Sequence, residues 1–167
     1  MLADRFSQTF RDEHRAVRDA LFDLIDAFRA HDRERAASLV GRIAALTGPH
    51  FRYEEETMYP ALVDTFGAAY VDSLLDDHDG AIAGAQRLAE LVSAPIGDEE
   101  ADEGATIARS ILPHVSDCDG LSIMVERLDD EVIRSIFDTR QRSLAAGLDL
   151  LTWARDVRRR PVLSRAS

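Results

Sequence analysis

Pro49-His50-Phe51-Arg52-Tyr53-Glu54-Glu55-Glu56-Thr57-Met58-Tyr59-Pro60 is the stretch on which the reading of this chain turns. On a helix, His50 and Glu54 lie one turn apart and point the same way. An imidazole and a carboxylate so placed can both reach one metal ion, or two adjacent ones. The same spacing occurs on ordinary solvated helix faces, so the pair acquires meaning only from its surroundings. The chain carries 5 histidines. Three of the others, His14, His78 and His114, each fall in a separate segment of helical periodicity.

Around that stretch the apolar residues recur at steps of three and four. Residues 4–30 place Phe6, Phe10, His14, Val17, Leu21, Leu24 and Phe28 on one helix face, with His14 on the apolar stripe itself. His31 reads as a solvated residue at the helix end. A second helix starts near Asp32, a suitable N-cap, and carries Ala36, Leu39, Val40, Ile43 and Leu46. Gly48-Pro49 then predicts a bend or two collinear pieces, because proline removes a helical hydrogen bond. Residues 61–92 read as a short piece, Gly67, and a longer helix with Val71, Leu74, Leu75, His78, Ile82, Ala85 and Leu88 on its stripe. Residues 93–103 are acidic, contain Pro95 and Gly97, and read as an exposed loop. A fourth helix begins near Ala101 and carries Ile107, Ile111, His114, Leu121 and Met124. Residues 129–157 form a further amphipathic run through Val132, Ile136, Leu144, Leu148, Leu151 and Trp153. No strand-type alternation of useful length occurs. The pattern predicts an all-α protein, an up-down four-helix bundle with an additional C-terminal helix. Residues 1–127 are assigned to the bundle and 128–167 to a C-terminal helical extension packed on it, its last residues disordered.

Bulk composition narrows the partners. A chain of 167 residues can bury a real core. Its net charge of -11 argues against nucleic acid and anionic membrane. The basic run Arg155, Arg158, Arg159 and Arg160 is too short to reverse that, and reads as a charged last helical turn. One cysteine, Cys118, excludes an intramolecular disulfide framework and fits a cytoplasmic location. The first residues lack the apolar run of a secretory signal, and no stretch approaches the roughly 18 apolar residues of a membrane span. There is no catalytic triad, phosphate loop or nucleotide fingerprint.

Four imidazoles on the apolar stripes of four helices are costly to bury without partners. The interior of a helical bundle is also where inward-facing side chains build metal sites. Imidazoles with carboxylates, and no thiolate pair, suit iron, manganese or zinc. Carboxylates able to bridge suit a pair of ions better than one. Glu13, Asp77, Asp79, Glu55 and Glu56 read mostly as solvent-facing, because adjacent helical positions point apart.

These residues resemble the hemerythrin-like, or HHE cation-binding, family. The resemblance rests on Glu13-His14, on His50-Phe51-Arg52-Tyr53-Glu54-Glu55, on Asp77-His78, and on His114 with Asp119 five residues later. It covers roughly residues 4–127. It implies a bundle holding two iron ions with an oxo or hydroxo bridge. His14 and His50 would cap one iron, His78 and His114 would serve the other, and Glu54 and Asp119 would bridge them. One position departs: the family's oxygen carriers have a histidine one turn before His78, and here that place is Leu74. Water, Tyr53, Tyr59, Asp77 or Glu55 is left to fill it. A second tension is geometric, since positions five apart on an ideal helix point about 140° from each other. A π-bulge near Pro113 and Gly120 would bring His114 and Asp119 together. In a regular helix Asp117 or Cys118 would face inward instead, with Cys118 read as a small buried residue.

The function implied is binding of O2 or a related small oxidant, peroxide or NO. The alternatives are a catalase- or peroxidase-like di-iron enzyme acting on hydrogen peroxide, and iron sensing or storage. The C-terminal helix reads either as a lid on the bundle or as a dimer interface.

Overall fold

The computed structural model describes residues 1–121 and 127–163, the Asp119 side chain excepted. Met124 and the expected disordered end, residues 164–167, lie outside the described residues. Among the described residues every regular element is helical.

Helix α1 spans Leu2–Arg29 and buries the stripe read from its sequence, His14 included. It ends in a sharp reversal in which His31 takes a positive φ of 55°, an uncommon conformation for a residue with a Cβ. His31 is exposed as expected, and its Nδ1 lies 3.0 Å from the Ile96 carbonyl. Asp32 caps α2 (Arg33–Tyr53) by accepting from the Arg35 backbone N–H at 3.0 Å.

Of the bend or two collinear pieces expected at Gly48-Pro49, the two pieces do not form: α2 runs through the proline as one helix. Packing on both flanks holds the helix despite the missing donor: Ala44 and Phe51 sit in one apolar cluster with Leu150 and Trp153. Gly48 makes that approach feasible, since a Cβ there would lie 2.5 Å from the Leu148 carbonyl oxygen. The irregularity falls one turn later. Residues Glu54–Met58 form a π-helical turn, with the Tyr59 N–H reaching back five residues to the Glu54 carbonyl. Pro60 has no N–H for the Glu56 carbonyl and its ring crowds that oxygen, so the helix ladder slips just before it.

Helix α3 (Tyr59–Phe66) follows, then Gly67 with φ 83°, then α4 (Ala68–Leu91). Helix α5 covers Asp98–Gly120. It remains α-helical through the stretch after Pro113 where a π-bulge was expected. Two further helices, α6 (Asp130–Ala145) and α7 (Leu150–Asp156), replace the single C-terminal run, parted by Gly147 at φ 62°.

Helices α1, α2, α4 and α5 form the bundle, α1 beside α2 and α5, and α4 beside the same two. Helix α6 lies along α2 and the π-turn, and α7 bridges α2 and α4. One apolar core fills one end of the bundle around Leu21, Leu24 and Phe28. A second fills the other end around Phe6, Phe10, Tyr59 and Leu75, and takes in Ile133 and Ile136 of α6. Each such fully buried side chain contributes about 1.5–3 kcal/mol. The four histidines lie between these two cores. No helix among the described residues is long and apolar enough to cross a membrane.

Candidate metal centre

Glu54 lies at the middle of the bundle with no exposure to solvent. It is the first residue of the π-turn, and Tyr53, Glu54 and Glu55 are all buried. The bundle covers α2 on one side and the C-terminal helices cover it on the other, so Thr47, Gly48, Pro49, His50 and Phe51 just before are buried as well. Glu55, expected at the surface, is 1% exposed beneath Arg158, whereas Glu56 faces solvent.

His50 Nε2 lies 3.3 Å from Glu54 Oε1 and His78 Nε2 lies 3.1 Å from Glu54 Oε2. Neither carboxylate oxygen is met along a hydrogen-bond direction by any described residue. A buried carboxylate left in that state is costly. His14 and Cys118 with Glu54, and His78 and His114 with Glu54, form two groups whose ligating atoms lie within 4.8 Å of one another. Glu54 belongs to both.

The outer nitrogen of every ring is engaged by an oxygen that can only accept. His14 Nδ1 donates to the Phe10 carbonyl at 2.8 Å, and His50 Nδ1 to Glu13 at 2.8 Å. His78 Nδ1 donates to Glu55 at 2.9 Å, and His114 Nδ1 faces Asp77 at 3.4 Å. A neutral ring protonated at Nδ1 offers its lone pair at Nε2. All four rings are thus set to present the same nitrogen, which is the outer-sphere pattern of metal-bound imidazole. A buried carboxylate that lacks an aligned hydrogen bond and is flanked by such rings fits a cation.

Charge confirms the tension. Burial alone would lower the His50 pKa, but the charge of Glu54 and the bond to Glu13 raise it to about 10. Burial would raise that of Glu13, yet His50 and then Arg140 bring it down to about 2. Without a cation, His50 is an imidazolium held between two carboxylates. Burial and the Glu54 charge keep the Cys118 thiol protonated.

Of the residues expected at the site, His14, His50, Glu54, His78 and His114 converge, all of them buried. The Asp119 side chain lies outside the described residues. Asp117, its fallback, is exposed, while Cys118 faces inward with Sγ 3.5 Å from His114 Nε2. That follows from α5 staying regular, which puts the residue four on, not five, beside His114. Leu74 packs in the apolar core. Among the side chains that could fill its place, Tyr53 donates to Glu13 at 2.8 Å, and Glu55 and Asp77 lie behind His78 and His114. Tyr59 alone of these reaches the inner face, its hydroxyl 3.2 Å from His78 Nε2.

Glu13 and the basic run correct the sequence reading in the same way. Glu13 is 14% exposed, because it is drawn in by His50, Tyr53 and Arg140. Arg158 and Arg160 lie beyond α7 rather than in its last turn, and pair with Glu55, Asp72, Asp76 and Asp79. No local spacing signals these partners. Pro60, which has no N–H for the Glu56 carbonyl, was the readable hint of a widened turn.

Comparison with curated proteins and with solved structures returned no match. The hemerythrin HHE cation-binding domain matches residues 5–121, which takes in every converging histidine and Glu54 and stops before α6. The chain belongs to the hemerythrin HHE cation-binding family, and its buried histidine and glutamate cluster fits a metal site.

Proposed function

We propose that the chain is a non-haem iron protein that holds two iron ions and binds O2 or a related small oxidant, peroxide or NO. The observation that carries this is Glu54, whose two buried oxygens each face a different imidazole Nε2, at 3.3 and 3.1 Å. A carboxylate so placed could be shared between two ions. His14 and His50 would serve one side, His78 and His114 the other, and Asp119 is the second carboxylate the family resemblance suggests.

A pair of iron ions supplies two electrons that a small oxidant can take up. The residues of this chain set what reaches it. Leu74 offers no ligand atom on the His78 side, which would leave that side one protein ligand short and open to an exogenous one. A cavity of about 30 Å³ lined by Val17, Leu21, Phe51, Val115 and other apolar groups opens beside His114. An apolar space of that size suits a small uncharged molecule. The free buried cysteine suits a reducing compartment, in keeping with a cytoplasmic location.

A second reading, peroxide turnover, is favoured by Tyr59. Its hydroxyl beside His78 Nε2 is a proton donor on the inner face, and burial followed by the Glu54 charge keeps it protonated.

Metal analysis of the purified protein tests the proposal first. About two iron ions per chain are expected, and zinc alone would remove the redox readings. Mixing the reduced iron form with O2 separates the rest. One stoichiometric, reversible spectral change supports binding, whereas sustained oxygen release from peroxide supports the enzyme.

A further inference from the structure

We infer that Arg140 and Arg158, both in the C-terminal extension, are positioning residues of the metal centre, one for each side of it. The inference rests on the metal reading above. Arg140, on α6, donates through Nε to Glu13 Oε1 at 2.6 Å, and the other oxygen of Glu13 receives His50 Nδ1 and the Tyr53 hydroxyl, each at 2.8 Å. Arg158, two residues past α7, grips Glu55 with a fork: Nε to Oε2 at 3.0 Å and a terminal nitrogen to Oε1 at 2.9 Å. The same Oε1 accepts from His78 Nδ1 at 2.9 Å. The other terminal nitrogen of Arg158 holds Asp79 at 2.6 Å, and its guanidinium lies 5.8 Å from the centre of the buried Trp153 ring.

The two chains of contact have the same order: imidazole, carboxylate, arginine. An imidazole can rotate about its Cβ–Cγ bond, and its Nε2 swings as it does. One hydrogen bond at Nδ1 fixes the ring plane only if the acceptor is itself fixed. A glutamate side chain by itself is a poor anchor, because three torsions separate its oxygens from the backbone. An arginine on the carboxylate removes that freedom and sets a countercharge beside it. Arg140 and Arg158 thereby orient His50 and His78 towards Glu54 without touching the site themselves. Both lie outside the residues matched by the family, 5–121.

Ordinary ion pairs tying the extension to the bundle would affect folding only. The test therefore reads metal release apart from stability. Arg140→Met, Arg158→Met, Arg140→Lys and Arg158→Lys chains are loaded with ferrous iron, and transfer of iron to an excess of chelator is timed. Melting of each metal-free chain is recorded in parallel. Each methionine variant is expected to release iron about 10- to 100-fold faster than the unaltered chain. Lysine at 140 is expected to restore most of the retention, since a single contact is replaced there, while lysine at 158 cannot rebuild the fork. Release rates within twofold of the unaltered chain, with only the metal-free melting temperature lowered, would overturn the inference. Should Arg158→Met fail to fold, Arg158→Lys decides alone, and unchanged release by it has the same consequence. An unaltered chain that takes up no iron overturns the metal reading itself, a result distinct from either.

Discussion

On the one side of Glu54, the His50 ring is backed by Glu13 and Arg140; on the other, the His78 ring is backed by Glu55 and Arg158. Each side also has a tyrosine, but the two tyrosines stand in different places. Tyr53 joins the outer shell and donates to Glu13, whereas Tyr59 enters the inner face beside His78 Nε2. The outward scaffolds are matched and the inward faces are not. The asymmetry falls on the side where Leu74 stands in place of a ligand on the proposed reading, so exchange of small molecules would be expected at the His78 side.

Glu54→Ala removes the group both sides share, and breaks them together. Metal affinity should fall by more than about 100-fold, beyond the loss typical of outer-sphere changes, as read by metal content after dialysis. Retention of even one tightly held ion would show that one side is complete without Glu54.

The pH profile sharpens the contrast for the metal-free protein. The His50 pKa is raised from 6.5 to about 10, so its stabilising contribution is complete below about 6.5 and is lost as pH rises towards 10. That of Glu13 is lowered from 4.5 to about 2, so its contribution holds above about 4.5 and is lost as pH falls towards 2. Melting temperature should therefore decline on both flanks of pH 4.5–6.5. A bound cation replaces the proton on His50 Nε2, so metal loading should release protons and abolish the alkaline decline. A metal-free chain equally stable at pH 6.5 and pH 10 would contradict the imidazolium assignment.

Gly48→Ala tests whether both scaffolds depend on one extension. Its Cβ would meet the backbone at Leu148 and Asp149 at 2.5 Å. A loss of about 1–3 kcal/mol in urea denaturation is expected, with iron released faster from both sides. The smallest effects separate the tyrosines. Tyr53→Phe should cost about 1 kcal/mol of stability and leave the spectrum of the iron form unchanged. Tyr59→Phe should alter that spectrum or the NO affinity with little effect on stability. Identical outcomes would erase the distinction between inner and outer faces.

The helical stripes, the N-cap at Asp32 and the turn at Gly67 were legible because each depends on residues a few positions apart. Burial of His14, His50, His78 and His114 was legible for the same reason: position on an apolar stripe suffices to carry a side chain inward. Two facings were not legible. The C-terminal extension covers the outer side of α2 and holds Glu55 inside through Arg158, and the π-turn lies at Glu54–Met58 and not after His114, which puts Cys118 beside His114.

By itself, the sequence determined how many helices carry a histidine inside the bundle, since helical periodicity is a property of the chain alone. Only the tertiary structure decided which carboxylates hold those rings and which cations hold the carboxylates. Arg140 reaches Glu13 across 127 residues and Arg158 reaches Glu55 across 103. Such pairs are selected by how the C-terminal helices dock on the bundle, and charge meeting charge over that separation leaves no trace in local spacing.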